Sequence, residues 1–247
     1  MRRVGLIQSD GIGDIIIGLP IAKAFADEGA QVFWPINEKY VSFFTPAVPY
    51  VTFIPVPRKE PEDFFIAIPR AELKARQCGE IYVLYNWILE DDRHLQRKEL
   101  IEHLKFDEYK YAAAGVPFSR KWTLEITRNP EREMALHRSL DIRGPYVCIH
   151  RRGHDVVANF GMPSEWGSLQ VVEVDERTDS PFDWIYTLEH ASKIVCIDSL
   201  FANLVEQLNL PNEKHLILRL PNPYMPVMKN GWQFIRLDQV QQSGSAR

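Results

Sequence analysis

The sequence predicts an α/β protein made of two Rossmann-like halves, each built around a parallel β-sheet. Short apolar runs alternate with stretches of helical periodicity from residue 3 to residue 85, and the alternation resumes at residue 146. Parallel sheets covered by helices give this pattern, because their strands are buried on both faces. The chain has 247 residues, 45% of them hydrophobic, which is enough for two compact domains. We expect a first domain over residues 1–143 and a smaller one over 144–240.

The first half begins with a strand at residues 3–8, a glycine turn and a helix over 14–27. Apolar residues recur at helical spacing along this helix, and Gly29 occupies the position of a C-terminal cap. Pro20 lies inside the helix and should either kink it or shift its start. Further strands are predicted at 31–36, 51–56 and 80–85, with helices at 38–44 and 62–76.

The middle of the chain departs from this alternation. Residues 91–110 are heavily charged with apolar positions at helical spacing, which predicts one amphipathic helix whose charges form a solvated face. Asn129 and Pro130 then supply a cap and a first-turn proline for a helix that runs to about residue 142. We therefore expect a charged helical insertion over about 91–140, and a domain boundary at Arg143-Gly144-Pro145.

The second half repeats the alternation on a smaller scale. Strands are predicted at 146–150, 169–174, 193–197 and 215–218, with helices at 182–191 and 200–208. Residues 241–247 are small and polar, and we expect a frayed tail there. Two such halves facing each other would form a cleft at the carboxyl ends of their strands, where ligands of these sheets bind.

The composition excludes several classes of protein. The formal net charge is −4, without the basic stripe of a nucleic-acid-binding protein, so no nucleic-acid partner is expected. Cys78, Cys148 and Cys196 are odd in number and far apart, which indicates a reducing compartment and no disulfide framework. The apolar run at 15–22 is too short to span a bilayer and follows two aspartates, unlike a signal peptide. A cytoplasmic protein without a transmembrane segment is expected.

The first candidate site is the turn between the first strand and the first helix. Gly11 and Gly13 allow the backbone to approach a ligand closely, and the free amides of a helix start favour anions. A dinucleotide fingerprint would need a third glycine at position 16, where Ile16 stands. Asp14 either caps the helix or acts as a general base, and the helix dipole there favours an ionised carboxylate.

The second candidate site is Asp198-Ser199, which follows an apolar strand and precedes a helix. A polar pair at a helix N-terminus can bind an anion, although either residue could also be an ordinary helix cap. Asn203 and Glu206 lie three residues apart and so share one helix face. They would contact sugar or ribose hydroxyls, or merely solvent.

The third candidate site follows the strand at 146–150. Arg151 and Arg152 could clamp a diphosphate, because the arginine fork matches pairs of phosphate oxygens, or they could form a solvated surface pair. His150, with the nearby His154 and Asp155, suggests zinc, but their spacing matches no metal motif, so no metal site is predicted. The cysteines of the apolar strands are expected to be inert core residues.

Two segments together resemble the heptosyltransferase-like (ADP-heptose:lipopolysaccharide type) glycosyltransferases. Gly13–Ala24 resembles the early G-D-x-x-x-x-x-P segment of that family, and Ile197–Leu204 is similar to its later D-[ST]-G-x-x-H-L segment. The sequence departs from the family at Leu200, where glycine is preferred, and at Asn203, where histidine is preferred. The chain is also shorter than is usual for the family, so the donor half is expected to be reduced.

The resemblance implies a GT-B fold and an inverting, metal-independent glycosyltransferase with no cofactor. It places the nucleoside diphosphate sugar donor on the second half and a glycan or glycolipid acceptor on the first, with peripheral membrane contact left open. Asp14 matches the catalytic base of the family, and Asp198 and Ser199 match its donor-side turn. Arg151 and Arg152 fall where the family places contacts to the donor phosphates.

Two alternatives belong to other classes of protein. One is a nicotinamide-dependent oxidoreductase or epimerase on a Rossmann fold, against which the missing glycine at Ile16 argues. The other is a non-catalytic module that binds a sugar or a nucleotide on the same fold, which the departure at Asn203 permits.

Overall fold

A computed structural model of the chain describes residues 1–58, 63–87, 97–153, 157–161, 166–218 and 225–236. The chain divides into two compact units, Met1–Thr127 and Arg128–Arg247. Each unit contains one parallel β-sheet with helices, which confirms the predicted α/β class. Within the described residues, no helix has the length and apolar character needed to cross a membrane. The predicted frayed tail at 241–247 lies outside them.

The first unit has a four-stranded sheet in the order β3-β2-β1-β4, with all neighbours parallel. Its elements are β1 (Arg3–Ile7), α1 (Ile12–Asp27), β2 (Gln31–Asn37), α2 (Glu38–Ala47), β3 (Val51–Val56), α3 (Ile68–Ala75), β4 (Glu80–Val83), α4 (Lys98–Ile101) and α5 (Phe106–Ala114). A π-helical turn, Asp63–Ala67, precedes α3, and a 3-10 helix, Phe118–Trp122, follows α5. Every predicted strand of this half is present.

Helix α1 is buried along most of its length, from Ile15 to Phe25, because it packs against the sheet as well as against α5 and the 3-10 helix. Its Gly18 lies against Trp34: a Cβ at this glycine would be 2.8 Å from the indole ring. Gly18 is therefore a packing residue, whose small size lets the helix approach β2. Pro20 lies within α1, which begins at Ile12, earlier than predicted.

The prediction of a single amphipathic helix at 91–110 is wrong for the residues of this range that the structure describes. Two separate helices, α4 and α5, stand there, and α5 starts where the Glu108 carboxylate accepts the backbone N–H of Lys105 at 3.0 Å. The charges of α5 do not form a solvated face. Asp107 is fully buried and pairs at 2.7 Å with the equally buried Lys121, and Lys110 is buried as well.

The second unit has a five-stranded parallel sheet in the order β6-β5-β7-β8-β9. Its elements are α6 (Pro130–Ser139), β5 (Tyr146–His150), β6 (Gln170–Glu173), a 3-10 turn (Pro181–Trp184), α7 (Ile185–Glu189), β7 (Lys193–Ile197), α8 (Leu200–Gln207), β8 (Glu213–Leu218) and β9 (Trp232–Arg236). Strand β9 was not predicted from the sequence; it is an edge strand that exposes most of its side chains. The second half is accordingly less reduced than expected.

Helix α6 belongs to the second unit, so the boundary lies after Thr127 and not at Arg143-Gly144-Pro145. Charged side chains make this attachment. Arg128 contacts Glu189 at 2.6 Å, and Arg132 contacts Asp183 at 2.7 Å. The local prediction at the start of α6 is confirmed, since Oδ1 of the Asn129 cap accepts the N–H of Arg132. A helix cap can be predicted from neighbouring residues, whereas the surface on which the helix packs depends on residues far away in the chain.

Candidate functional site

Each sheet has a switch point, where consecutive strands continue on opposite sides of one strand. In the first unit β2 lies on one side of β1 and β4 on the other, and in the second unit β6 and β7 flank β5. The loops leaving the carboxyl ends of such strands diverge and open a crevice, in which ligands of α/β sheets bind. The sequence-predicted residues follow these strands: residues 8–14 follow β1, residues 151–152 follow β5, and residues 198–199 follow β7.

The β1–α1 turn needs glycine at position 11. Gly11 has a φ of +80° and occupies the N-cap position of α1, where it has no side chain with which to cap the helix. A Cβ there would also lie 2.9 Å from Oδ2 of Asp14. Asp14 is the third residue of α1 and is not its cap, contrary to the structural alternative considered from the sequence. Its side chain is 38% exposed, so the carboxylate can meet a ligand.

The Asp14 carboxylate is anchored by Lys110, a residue that sequence reasoning missed. The Lys110 ammonium lies 2.8 Å from Oδ1 of Asp14, 2.8 Å from Oε1 of Gln8 and 3.1 Å from the carbonyl oxygen of Leu84. Each of its three protons therefore has an acceptor, and its side chain is only 2% exposed. A lysine between two tyrosines, just before a run of alanines, was the available signal of burial.

The backbone of the same turn is fixed by Tyr85, whose hydroxyl accepts the N–H groups of Ser9 at 2.6 Å and Asp10 at 3.2 Å. The Asp10 carboxylate accepts the Tyr40 hydroxyl at 2.8 Å and pairs with Arg58 at 3.1 Å. Burial and this hydrogen bond raise the pKa of Tyr40 above its usual value, so its hydroxyl stays protonated and donates. Asp14 thus follows a turn that is held from several sides.

In the second unit, Ser199 occupies the N-cap position of α8, but its side chain makes no cap bond. The Ser199 hydroxyl instead lies 2.8 Å from Nδ1 of His150, at the end of the neighbouring strand. The Ser199 carbonyl accepts both the backbone N–H of Asn203, at 3.2 Å, and its side-chain amide, at 3.1 Å. Asp198 and Ser199 are half-buried, so both remain accessible to a ligand.

The two arginines after β5 have different surroundings. Arg151 pairs with Glu173 at 3.0 Å, donates to the carbonyl of Phe160 and lies 4.3 Å from the centre of the Phe160 ring. Arg152 is exposed, and its side chain has no ion-pair partner among the described residues. Because the Arg151 guanidinium already contacts Glu173 and Phe160, Arg152 is the better candidate to bind a ligand phosphate. The sequence did not distinguish between them.

Glu206 and Asn203 are buried and do not face solvent from the helix. The Glu206 carboxylate accepts the N–H of Lys229 at 2.8 Å and the indole N–H of Trp232 at 2.8 Å. These bonds attach the first residue of β9 and the segment before it to α8, so the structure gives Glu206 a role in folding in place of the predicted donor contact. Asn203 supports the Ser199 turn, and its Oδ1 atom has no hydrogen-bond partner within the described part of the chain.

The other candidates contribute little to a site. Burial raises the pKa of the Cys148 and Cys196 thiols, so both stay protonated core residues, as predicted. His154 and Asp155, of the zinc hypothesis, lie outside the described residues. Within the described ranges, no three His, Cys, Asp or Glu side chains are grouped to hold a metal ion.

No protein-family model and no curated protein matches the chain. Solved structures do. The glycosyl transferase family 9 protein from Veillonella parvula DSM 2008 is 10% identical with a TM-score of 0.63, over 100% of this chain and 92% of that one. The E. coli heptosyltransferase WaaC with ADP is 13% identical with a TM-score of 0.54, over 98% and 97%.

The iron-containing dodecameric glycosyltransferase TibC from enterotoxigenic E. coli H10407 is 15% identical with a TM-score of 0.50, over 91% of this chain. This chain spans 61% of the length of TibC. At such identities the three structures show that the chain shares their fold. The fold implied by the resemblance at residues 13–24 and 197–204 is thereby confirmed.

Proposed function

We propose that the chain is an inverting glycosyltransferase that moves a sugar from a nucleoside diphosphate sugar to a hydroxyl of a glycan or glycolipid. The observation that carries the proposal is the Asp14 carboxylate, which is 38% exposed at the switch point of the first sheet and anchored by the buried Lys110. Support comes also from the fold, which is shared with structures titled as glycosyltransferases, one of them determined with ADP.

On the first unit, Asp14 is the general base. In a single displacement, the acceptor oxygen attacks the anomeric carbon while the bond from that carbon to the diphosphate oxygen breaks, and the base removes the proton of the acceptor hydroxyl. The Lys110 ammonium holds Oδ1, 2.8 Å away, and so restricts the rotation of the carboxylate. The proton goes to Oδ2. A restricted orientation of the base increases the reaction rate, because the acceptor then meets a group that is already correctly positioned.

On the second unit, the leaving diphosphate is stabilised by Arg152 and by the start of α8 at Ser199. An arginine fork donates to two phosphate oxygens, and the free amides of a helix N-terminus favour the same negative charge. Donors directed at charge that develops in the transition state accelerate the reaction. These cationic and dipolar groups would stabilise the charge that a bound metal ion stabilises in other transferases, so we propose that the transfer is metal-independent. We also propose that the protein acts in the cytoplasm.

The first experiment is a thermal-shift screen with ADP, GDP, UDP, CMP, their sugars and NAD. A ligand at a hundred times its dissociation constant stabilises a protein by about 2.7 kcal/mol, which is readily measured. A nucleoside diphosphate should raise the melting temperature, and its sugar should then support transfer to an acceptor in the presence of EDTA. Loss of transfer in EDTA that added metal restores would contradict metal independence.

The same screen distinguishes the alternatives. Stabilisation by NAD alone would favour the oxidoreductase, although the Ile16 side chain that replaces the third glycine is fully buried in α1. Stabilisation by a nucleotide without transfer to any acceptor would favour a binding module. The decisive control is Asp14→Asn beside Asp27→Asn, an exposed aspartate of the same helix: only the first change should lower turnover at least about a hundredfold.

A further inference from the structure

The contact between His150 and Ser199 joins two neighbouring strand ends of the second sheet. His150 is the last residue of β5 and pairs in register with Cys196 of β7. Its Nδ1 atom lies 2.8 Å from the Ser199 hydroxyl. The residue is 5% exposed, and its ring packs edge-on against Phe201, with the ring centres 4.8 Å apart. The ring is therefore held in one orientation, with Nδ1 directed at the serine.

The chemistry of this contact depends on which atom donates. If Nδ1 carries no proton, the serine hydroxyl must donate to it, and Ser199 then offers only lone pairs to a ligand. If Nδ1 carries the proton, the ring donates to Oγ, and the serine hydroxyl is free to donate elsewhere. A phosphate oxygen accepts hydrogen bonds, so only the second arrangement binds it well.

We propose that His150 is a positioning residue that carries its proton on Nδ1, donates it to Ser199 Oγ, and thereby turns the Ser199 hydroxyl toward a diphosphate oxygen of the donor. This inference rests on the proposed function and assigns a role that the catalytic scheme above leaves unfilled. No bond is made or broken, since the ring sets only the direction of a hydroxyl proton.

Three features of the site agree with this arrangement. Arg152 and the amides at the start of α8 are donors, so a hydroxyl that also donates completes an anion-binding set. The Ser199 carbonyl is already occupied by Asn203, which leaves the hydroxyl as the adjustable group. Burial and the nearby Arg152 charge lower the pKa of His150 to about 4. At neutral pH the ring is therefore uncharged and carries one proton, on either Nδ1 or Nε2.

The direct test is a ¹⁵N–¹H correlation spectrum of the histidine-labelled protein, in which the two neutral tautomers have different nitrogen shifts. His150→Asn identifies the His150 signals by their loss. A proton on Nδ1 at neutral pH supports the proposal, and a proton on Nε2 overturns it. This readout does not depend on any nucleotide, so it tests the pair even if the proposed transferase activity fails.

The second test measures nucleoside diphosphate affinity by calorimetry, using the nucleotide that stabilises the protein most. Ser199→Ala should weaken binding about tenfold, since a hydrogen bond to a charged group is lost, and His150→Leu should weaken it by up to as much, since the hydroxyl loses the donor that directs it. The double variant should be no weaker than either one, because the two residues act as a unit. His150→Asn should retain affinity, since its amide N–H can replace Nδ1–H.

Controls separate this role from a merely structural one. His137→Leu removes another histidine of the same unit that contacts a hydroxyl, Oγ1 of Thr187, and should leave affinity unchanged. Additive losses in the double variant, or equal losses in His150→Asn and His150→Leu, would overturn the positioning role. Full affinity in Ser199→Ala would instead contradict the donor site itself, and with it the proposed function of the second unit.

Discussion

The Lys110 ammonium lies 2.8 Å from the Asp14 carboxylate, with the lysine side chain 2% exposed and the aspartate side chain 38% exposed. A buried cation therefore holds a half-exposed anion by one oxygen. The other two acceptors of the ammonium, on Gln8 and Leu84, come from the ends of the two strands that flank the switch point. The candidate base is thus tied to the sheet as well as to its own helix.

The first prediction concerns the base. Asp14→Asn should lower turnover at least about a hundredfold, since general base catalysis typically contributes 10²–10⁴-fold. Donor affinity should change little, because the donor is proposed to bind the other unit. Initial rates and calorimetry on the same preparation measure both quantities. Near-normal turnover in this variant would refute the assignment of Asp14, and Asp27→Asn serves as the matched control.

The second prediction concerns the anchor of the base. Lys110→Met should destabilise the first unit by about 2–3 kcal/mol, because it leaves two buried acceptors and one carboxylate oxygen without a donor. Turnover should also fall, since Asp14 loses its fixed orientation. Urea unfolding followed by circular dichroism gives the free energy. Lys23→Met, which breaks more exposed pairs with Asp27 and Glu125, should change the stability by less than about 1 kcal/mol.

The third prediction separates the two arginines after β5. Arg152→Ala should weaken nucleoside diphosphate binding about tenfold with little change in stability, because its side chain is exposed. Arg151→Ala should lower stability and leave affinity closer to normal, because its contacts are to Glu173 and Phe160 within the protein. The reverse pattern would assign the diphosphate contact to Arg151.

The fourth prediction concerns the β1–α1 turn. Gly11→Ala should destabilise the protein by about 1 kcal/mol or more, since the residue has a positive φ and the added Cβ would meet Asp14 Oδ2 at 2.9 Å. The clash should also displace the carboxylate and reduce turnover. Gly144→Ala is the matched control, because a Cβ there meets nothing within 4 Å. Equal effects of the two substitutions would contradict the strain at Gly11.

The fifth prediction is a pH dependence of stability from His150. Its folded pKa is lowered from 6.5 to about 4 by burial and by Arg152, so between these values the unfolded chain takes up a proton that the folded protein does not. The free energy of unfolding should therefore fall as the pH drops from about 6.5 to about 4. The loss from this residue is on the order of 3 kcal/mol, since one pKa unit corresponds to about 1.4 kcal/mol.

Urea titrations of the wild type and of His150→Asn across this pH range isolate the share of His150. Groups common to both proteins, such as the buried His215 with its own lowered pKa, then cancel in the difference. Above about pH 6.5 the difference between the two proteins should be constant. Parallel curves over the whole range would contradict the prediction.

The sequence predicted local features well where local chemistry decides them. The strand at Val51–Val56, the Asn129 cap and the glycine turn at Gly11 each depend on a few neighbouring residues. The charged stretch before Lys110 was misinterpreted, because a charge is normally solvated and burial depends on partners far away in the chain. Strand β9 was missed for a related reason, since it is defined by its pairing with β8 and not by the few residues around it.

By itself, the sequence determined the alternation of strands and helices, the positions of the two polar turns, and the carboxylate at position 14. Only the tertiary structure decided which charged residues are used by the protein itself. It buried Lys110 beside Asp14 and placed His150 next to Ser199. It also paired Arg151 and Glu206 with other groups of the protein, while Arg152 stayed exposed. The physical reason is that secondary structure and caps arise from interactions a few residues long. The partner of a charge or a hydroxyl is instead set by which strands the sheet places side by side.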